Sequence, residues 1–225
     1  MQLSVIVPTL DEEGTIASTL AHAKRARDVE LVVVDGGSRD GTVDVARPLA
    51  DRVLNAARGR AAQMNAGAAA ARGAVLLFLH ADTRLPEDYP MLIADAVAPV
   101  DVVGGRFDLR LDAPGIAYRA IERLIGLRSR LTGVATGDQA IFVRRDAFER
   151  VGGYPPIPLM EDIALCRALK RAGRMVALRD VVVTSARRWE RDGLVRTVML
   201  MWALRLAYYA GVSPERLARA YRDAR

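Results

Sequence analysis

Four short stretches hold the side chains best suited to chemistry: Pro8-Thr9-Leu10-Asp11-Glu12, Asp35-Gly36-Gly37-Ser38-Arg39-Asp40-Gly41-Thr42, His80-Ala81-Asp82-Thr83 and Met160-Glu161-Asp162. The first three are acidic, and each follows an apolar run. Carboxylates that meet at one place repel one another unless hydrogen-bond donors or a cation compensate them. A divalent cation held there acts as a Lewis acid toward phosphate oxygens. Each stretch also has a plainer explanation. Asp11 and Glu12 would cap a helix, where acids meet the positive end of its dipole. DGGSRDGT would be a glycine-rich turn with Asp40 as a cap, and His80 would be a hydrogen-bonded core histidine. Their recurrence after three successive strands points to one site.

The elements that must position these residues are legible upstream of each. Residues 3–8, 30–35 and 74–80 are continuous apolar runs rich in β-branched residues, the pattern of parallel strands covered on both faces. Residues 13–26, 41–49, 60–72 and 87–98 read as helices between them. From Gly105 the segment DVVGGRFDLRL alternates, which predicts a strand with one solvated face. The fold class is therefore α/β, a mostly parallel central sheet flanked by helices, and ligands gather at the carboxyl ends of such strands. At 225 residues the chain has room for one substantial core. The expected division is a domain over residues 1–190, with halves at 1–110 and 111–190, followed by a helical extension at 191–225.

Composition narrows the partners. Net charge is +6 and almost all of the positive charge is arginine, Lys24 and Lys170 being the only lysines, so an anionic partner is expected. The single cysteine, Cys166, sits in a helical pattern as a small apolar residue. MQLSVIVP lacks the basic and long apolar regions of a signal peptide, which places the chain in the cytoplasm. PTLDEEG stands where a dinucleotide-binding oxidoreductase would carry G-x-G-x-x-G and where a nucleotidyltransferase would carry a basic glycine-rich loop. No aromatic-basic interleaving or zinc signature marks a nucleic-acid binder.

The order of motifs resembles the family 2 glycosyltransferases of GT-A fold. It runs from SVIVPTLDEE through VVVDGGSRDGT, RGRAAQMNAGAAAARG and FLHADT to VGGY and MEDIALCRALKRAG, and the short, soluble bacterial members are most similar. The resemblance implies a hexosyltransferase-like enzyme that moves a sugar from a nucleoside-diphosphate sugar, a UDP-sugar being the expected donor, to an acceptor hydroxyl with inversion. It implies Pro8, Thr9, Leu10 and Glu12 along the base, Asp35 bonded to base or ribose, and Arg58 and Arg60 at the diphosphate. The family's Asp-x-Asp appears as His80-Ala81-Asp82, which assigns Mn2+ or Mg2+ to Asp82 with His80 as a further contact. Asp162 takes the general-base position and Glu161 orients the loop. Gly152-Gly153-Tyr154 would line the acceptor side in a loop between strand and helix. Ser185-Ala186-Arg187-Arg188-Trp189 is similar to the Gln-x-x-Arg-Trp motif of polymerising members, with Arg188 and Trp189 meeting diphosphate and sugar. A non-catalytic nucleotide-sugar binder of the same fold is the alternative.

Residues 194–210 form an apolar run interrupted by Arg196 and Arg205, too short and too charged for a span of ~20 residues. Packing on the core or a homodimer contact is the first expectation for it, and peripheral contact with the inner face of a membrane the second.

Overall fold

The computed structural model describes residues 2–25 and 28–223. Met1 of the expected leaderless start, position 26 of the expected first helix and the last two residues of the extension lie outside them.

Among the described residues, eight strands form one sheet in the order β3-β2-β1-β4-β7-β6-β8-β5. The strands are β1 (Leu3–Thr9), β2 (Val29–Asp35), β3 (Arg52–Asn55), β4 (Val75–Phe78), β5 (Thr83–Arg84), β6 (Val102–Leu111), β7 (Ile141–Arg144) and β8 (Arg174–Thr184). The three apolar runs become β1, β2 and β4, which pair in parallel with Thr9 beside Asp35 and Ile6 beside Phe78. That register brings the three acidic stretches to one edge of the sheet. β7 then runs antiparallel to both β4 and β6, so the second half abandons simple alternation of strand and helix. Strand β3, which the sequence does not announce, is a short, half-buried edge.

Helices cover both faces: α1 (Glu13–Lys24), α2 (Thr42–Ala46), α3 (Arg60–Ala70), α4 (Tyr89–Ala96), α5 (Ile116–Thr132), α6 (Arg145–Arg150) and α7 (Glu161–Ala172). One core joins α1 and α4 to the sheet through Ile16, Leu20 and Ile93; the other joins α3 and α7 through Met64, Ala68, Leu165 and Leu169. The expected solvated face of β6 is absent. Arg110 alone is exposed along that strand, because α5 lies over it and the buried Arg106 donates to the Gly126 carbonyl of α5 at 3.3 Å. The strand approaches β7 so closely that a Cβ on Gly105 would meet the Phe142 ring at 2.5 Å, which is why glycine stands there.

The carboxyl-terminal residues form α8 (Arg187–Asp192), α9 (Leu194–Tyr209) and α10 (Pro214–Asp223). Leu204 and Leu217 pack with Ile163 and Cys166 of α7, so this segment is fastened to the core. Packing accounts for only one side of α9. Val195, Met199, Trp202, Leu206 and Tyr209 recur at helical spacing on its other side and are exposed.

A polar tie at the start of the sheet gives a first prediction. Glu30 is buried in β2, where it accepts the Ser4 hydroxyl at 2.5 Å, the Arg72 N–H at 2.7 Å and Arg72 Nε at 3.0 Å. Burial raises its pKa, but the Ser4 and Arg72 donors outweigh burial and leave the carboxyl below its ordinary 4.5. A depressed folded pKa contributes stability that is present above the unfolded value and lost as pH falls through the folded one. Melting temperature followed from pH 7 into acid should therefore fall less steeply below about pH 4.5 for Glu30→Gln than for the parent. Parallel acid limbs would contradict it.

Candidate active site

The edge where β1, β2 and β4 end is laced together by its own acids. Asp11, at φ +54°, accepts the Arg39 N–H at 2.8 Å, and its own N–H donates to Ser38 Oγ at 2.9 Å. The Glu13 carboxylate accepts the Gly41 N–H at 3.1 Å, and the Glu12 N–H donates to Thr42 Oγ1 at 2.8 Å. Asp35 is buried and accepts the N–H groups of Gly37 and Ser38 at 2.8 and 2.9 Å, besides the Ser38 hydroxyl. Its carboxylate thus shapes its own loop. Pro8 and Leu10 are half-buried and Thr9 is buried, its carbonyl accepting Gly36 N–H at 2.9 Å and Gln63 Nε2 at 2.8 Å. The space beside Gly36 belongs to that Gln63 amide, which a Cβ at 36 would meet at 3.0 Å. Arg58 is exposed on the turn before α3 and does not line the cavity.

His80, Ala81 and Asp82 follow β4 at the middle of this edge. Thr19 of α1 donates to the carbonyl of the buried Ala81 at 2.8 Å, and Thr83 donates to Thr184 Oγ1 at 2.9 Å across the β5–β8 pair. The Ser185 N–H then reaches the Asp82 carbonyl at 3.2 Å, so the start of α8 is pinned beside Asp82. The consequence is Arg187. Its Nη2 donates to Glu12 Oε2 at 2.8 Å and to Asp82 Oδ2 at 3.3 Å. One guanidinium compensates two carboxylates from two loops. Burial and the Glu12 charge still hold Asp82 above the ordinary carboxylate value, with Arg187 pulling the other way.

Beyond Asp82 a cavity of about 240 Å³ opens between the end of β4, the Gly137–Gln139 turn, the start of α7 and the helices α5 and α9. Among its walls are Arg60, His80, Asp82, Glu161, Asp162, Arg188 and Trp189, seven of the residues singled out in the sequence. Arg60 opens α3 and lies between His80 Nε2, which it contacts, and Glu161 Oε1 at 3.6 Å. Burial and then the Arg60 charge hold His80 well below its ordinary pKa, so its ring is neutral. Glu161 is buried; burial raises its pKa, and Arg60 opposes that rise. Met160, at φ +69°, turns the chain into α7 so that both acids stand in the first turn. Asp162 Oδ2 accepts the Gly137 N–H at 3.0 Å and Oδ1 the Ile163 N–H at 2.7 Å, which fixes the carboxylate beside the Gly137–Gln139 turn. A side chain at 137 would meet Arg60 Nη2 and His80 Nε2 at 2.7 Å. Glycine there keeps the turn close to both.

One expectation is corrected. The Gly152-Gly153-Tyr154 loop joins α6 to α7 and does not line the cavity; Tyr154 is buried edge-on against Phe78, with ring centroids 4.9 Å apart. His80 Nε2, expected as a further metal contact, lies against the Arg60 guanidinium. Among the described residues no group of three or more His, Cys, Asp or Glu side chains is arranged to hold a metal. A hard cation would be served here by the Asp82 carboxylate, beside the charge of Glu12, with ligand oxygens and water completing a shell.

The residues that sequence reasoning passed over are Arg187, Arg128, Asp138 and Arg205. Arg187 stands next to Arg188 in RRW, and only the β5–β8 pairing decides which of the two reaches the sheet edge. Asp138 carried a signal, an acid between glycine and glutamine in TGDQ. Arg128 and Arg205 lie in helices whose arginines look alike in sequence.

Among solved structures, Staphylococcus aureus TarS 1–349 superposes with a TM-score of 0.65 at 18% identity, covering 89% of this chain and 66% of that one. Glucosyl-3-phosphoglycerate synthase from Mycobacterium tuberculosis, in complex with Mn2+, UDP and glucosyl-3-phosphoglycerate, superposes with a TM-score of 0.62 at 21% identity, covering 80% and 70%. The fold is that of the GT-A glycosyltransferases. The glycosyl transferase family 2 model matches residues 4–152, and the chain belongs to that family. Similar relatives include undecaprenyl-phosphate 4-deoxy-4-formamido-L-arabinose transferases of Pseudomonas paraeruginosa, 32% identical over 157 residues, and Pseudomonas fluorescens, 33% over 158. Each match covers 63% of this chain and 46% of the relative, so the chain spans about half the length of the curated relatives it matches.

Proposed function

We propose that this chain transfers a glycosyl group from a nucleoside-diphosphate sugar to an acceptor oxygen, with inversion at the anomeric carbon. The observation that carries this reading is one cavity that holds both cationic groups and a fixed carboxylate. Arg60 lines it and Arg187 stands beside Asp82 at its edge, two cations for a diphosphate, while Asp162 at the start of α7 presents a carboxylate held by two backbone N–H groups. The acceptor oxygen attacks the anomeric carbon as the bond from that carbon to the diphosphate oxygen breaks. The bonding pair leaves with the nucleoside diphosphate, and the proton of a hydroxyl acceptor passes to Asp162. Arg187 and Arg60 bind and orient the leaving diphosphate through charge-assisted hydrogen bonds. Mn2+ or Mg2+ on Asp82 would supply further neutralisation of that leaving group. Arg188 and Trp189 border the sugar, and the loops carrying Pro8, Thr9, Leu10, Glu12 and Asp35 border the nucleoside.

A UDP-sugar is the donor this reading favours, because the superposable synthase holds UDP and a second TarS structure is in complex with UDP-GlcNAc. The relatives' printed activity has a lipid phosphate as acceptor, which makes an amphiphile the acceptor class to test first. Among the described residues no helix is long and apolar enough to cross a membrane. The test of donor binding is a thermal-shift panel of UDP-, GDP-, dTDP- and CDP-sugars with and without Mn2+. A donor at 100 times its dissociation constant should add about 2.7 kcal/mol of apparent stability. If no nucleotide sugar shifts the transition, the reading fails.

A further inference from the structure

We propose that Arg128 and Arg205 form a phosphate subsite on the acceptor side of the cavity, for the phosphate of an amphiphile whose apolar chain lies between α5 and α9. The proposal rests on the glycosyltransferase reading of the same cavity and names the acceptor's chemistry.

The two arginines come from helices that the proposed diphosphate contacts do not use. Arg128 makes one hydrogen bond, Nη1 to the Val134 carbonyl at 3.3 Å, while its Nε and Nη2 are buried with no hydrogen-bond partner. Neither guanidinium has a carboxylate in ion-pair contact among the described residues. Asp138 and Asp162 share the cavity and their fields reach Arg128 without pairing with it. Both guanidinium-bearing side chains line the one cavity, and burial together with the Arg205 charge pushes Arg128 down to about 10. Like charges in an apolar setting are costly unless an anion joins them, and a phosphate matches the planar donor fork of arginine.

The surroundings specify what the phosphate is attached to. Ile121, Leu124, Ile125, Val198, Met201 and Trp202 line the same cavity on either side of the pair. Leu124 and Trp202 are 56% and 52% exposed at its outer edge, so the apolar wall continues to solvent. A free anion would satisfy the arginines and leave that wall wet; a hydrocarbon chain behind the phosphate covers it. The diphosphate of the donor is served by Arg60 and Arg187 at the strand ends, so this second cationic site is left for the acceptor.

The shared chemistry is a phosphate on an apolar chain, and calorimetric titration separates its sources. Farnesyl phosphate represents a monoester, and dihexanoylphosphatidylglycerol a diester that carries hydroxyls. Binding of at least one by the parent is expected, with farnesol and inorganic phosphate each at least tenfold weaker. Arg205→Gln and Arg128→Gln should each weaken the bound amphiphile tenfold or more and leave farnesol unchanged, while Arg205→Lys recovers part of the loss. Removing an unpaired buried charge should also leave the melting temperature of Arg128→Gln equal to or above the parent's, whereas a merely structural arginine would lower it. The proposal is overturned if neither amphiphile binds the parent, if farnesol binds as tightly as farnesyl phosphate, or if both glutamine variants keep parental affinity. Nucleotide-sugar stabilisation measured on the same samples reports on the donor site independently, so its absence would count against the transferase reading and not against the phosphate subsite.

Discussion

Asp162→Asn is expected to lower transfer to a hydroxyl acceptor by roughly two orders of magnitude or more while donor affinity stays parental. A hydroxyl is a weak nucleophile at neutral pH, and a positioned base contributes typically 10²- to 10⁴-fold. In the proposed mechanism Asp162 does that work. It stands in the first turn of α7, where the helix dipole favours its negative charge, and its two oxygens are fixed by the N–H groups of Gly137 and Ile163 at 3.0 and 2.7 Å. Asparagine keeps the shape and one acceptor but brings an NH2 toward one of those donors, so a small loss of thermal stability should accompany the loss of rate. The proposed diphosphate contacts are Arg60 and Arg187, whose ion-pair partners are Glu161, Glu12 and Asp82 and not Asp162, which is why a kcat effect without a donor-binding effect is the expected signature. Glu161→Gln should be milder, because Glu161 is buried and paired with Arg60 at 3.6 Å and its proposed role is to orient the loop. Parental turnover by Asp162→Asn with a competent donor and acceptor would remove Asp162 from the base role.

Asp82→Ala is expected to abolish the Mn2+-dependent part of nucleotide binding with the fold intact. Asp82 is the carboxylate proposed for the cation, and its side chain is half-buried at the edge of the cavity. Charge-assisted contacts are worth about 1.5–3 kcal/mol each, so affinity in the presence of Mn2+ should fall by about tenfold to a hundredfold. Arg187 keeps Glu12 as a partner in the variant and stays near the diphosphate, which leaves a cation-independent remainder of binding. Titrations of the parent and Asp82→Ala with the best nucleotide sugar, each with and without Mn2+, read this directly. Equal affinities in all four conditions would take Asp82 out of any metal site.

What the sequence disclosed follows the reach of local signals. β1, β2 and β4 are continuous β-branched or leucine-rich runs, buried on both faces, and their parallel order fixes where the acidic stretches emerge. β3 escaped because RVLN is short and half-buried on an edge, where no apolar pattern is required. The solvated face expected of β6 failed because alternation reports one strand's own side chains and says nothing about α5 lying across them. Site residues followed the same division. Asp82, Glu161 and Asp162 were legible from type and motif, whereas the loop-bound state of Asp35 depends on the particular turn that Gly37 and Ser38 make. Arg187 depends on the pairing of Thr83 with Thr184, residues about a hundred positions apart. Non-local pairing is written in no short stretch of chain.

The central claim is that one cavity breaks a sugar–diphosphate bond and forms a sugar–acceptor bond. Phosphorus NMR of a mixture of purified protein, the best-stabilising nucleotide sugar, Mn2+ and an amphiphilic phosphate acceptor follows both events at once. The account predicts a free nucleoside diphosphate appearing in step with a glycosylated acceptor, at a rate that depends on acceptor concentration. A donor that binds tightly but stays intact with every acceptor it is offered would contradict it and leave the chain a nucleotide-sugar binder.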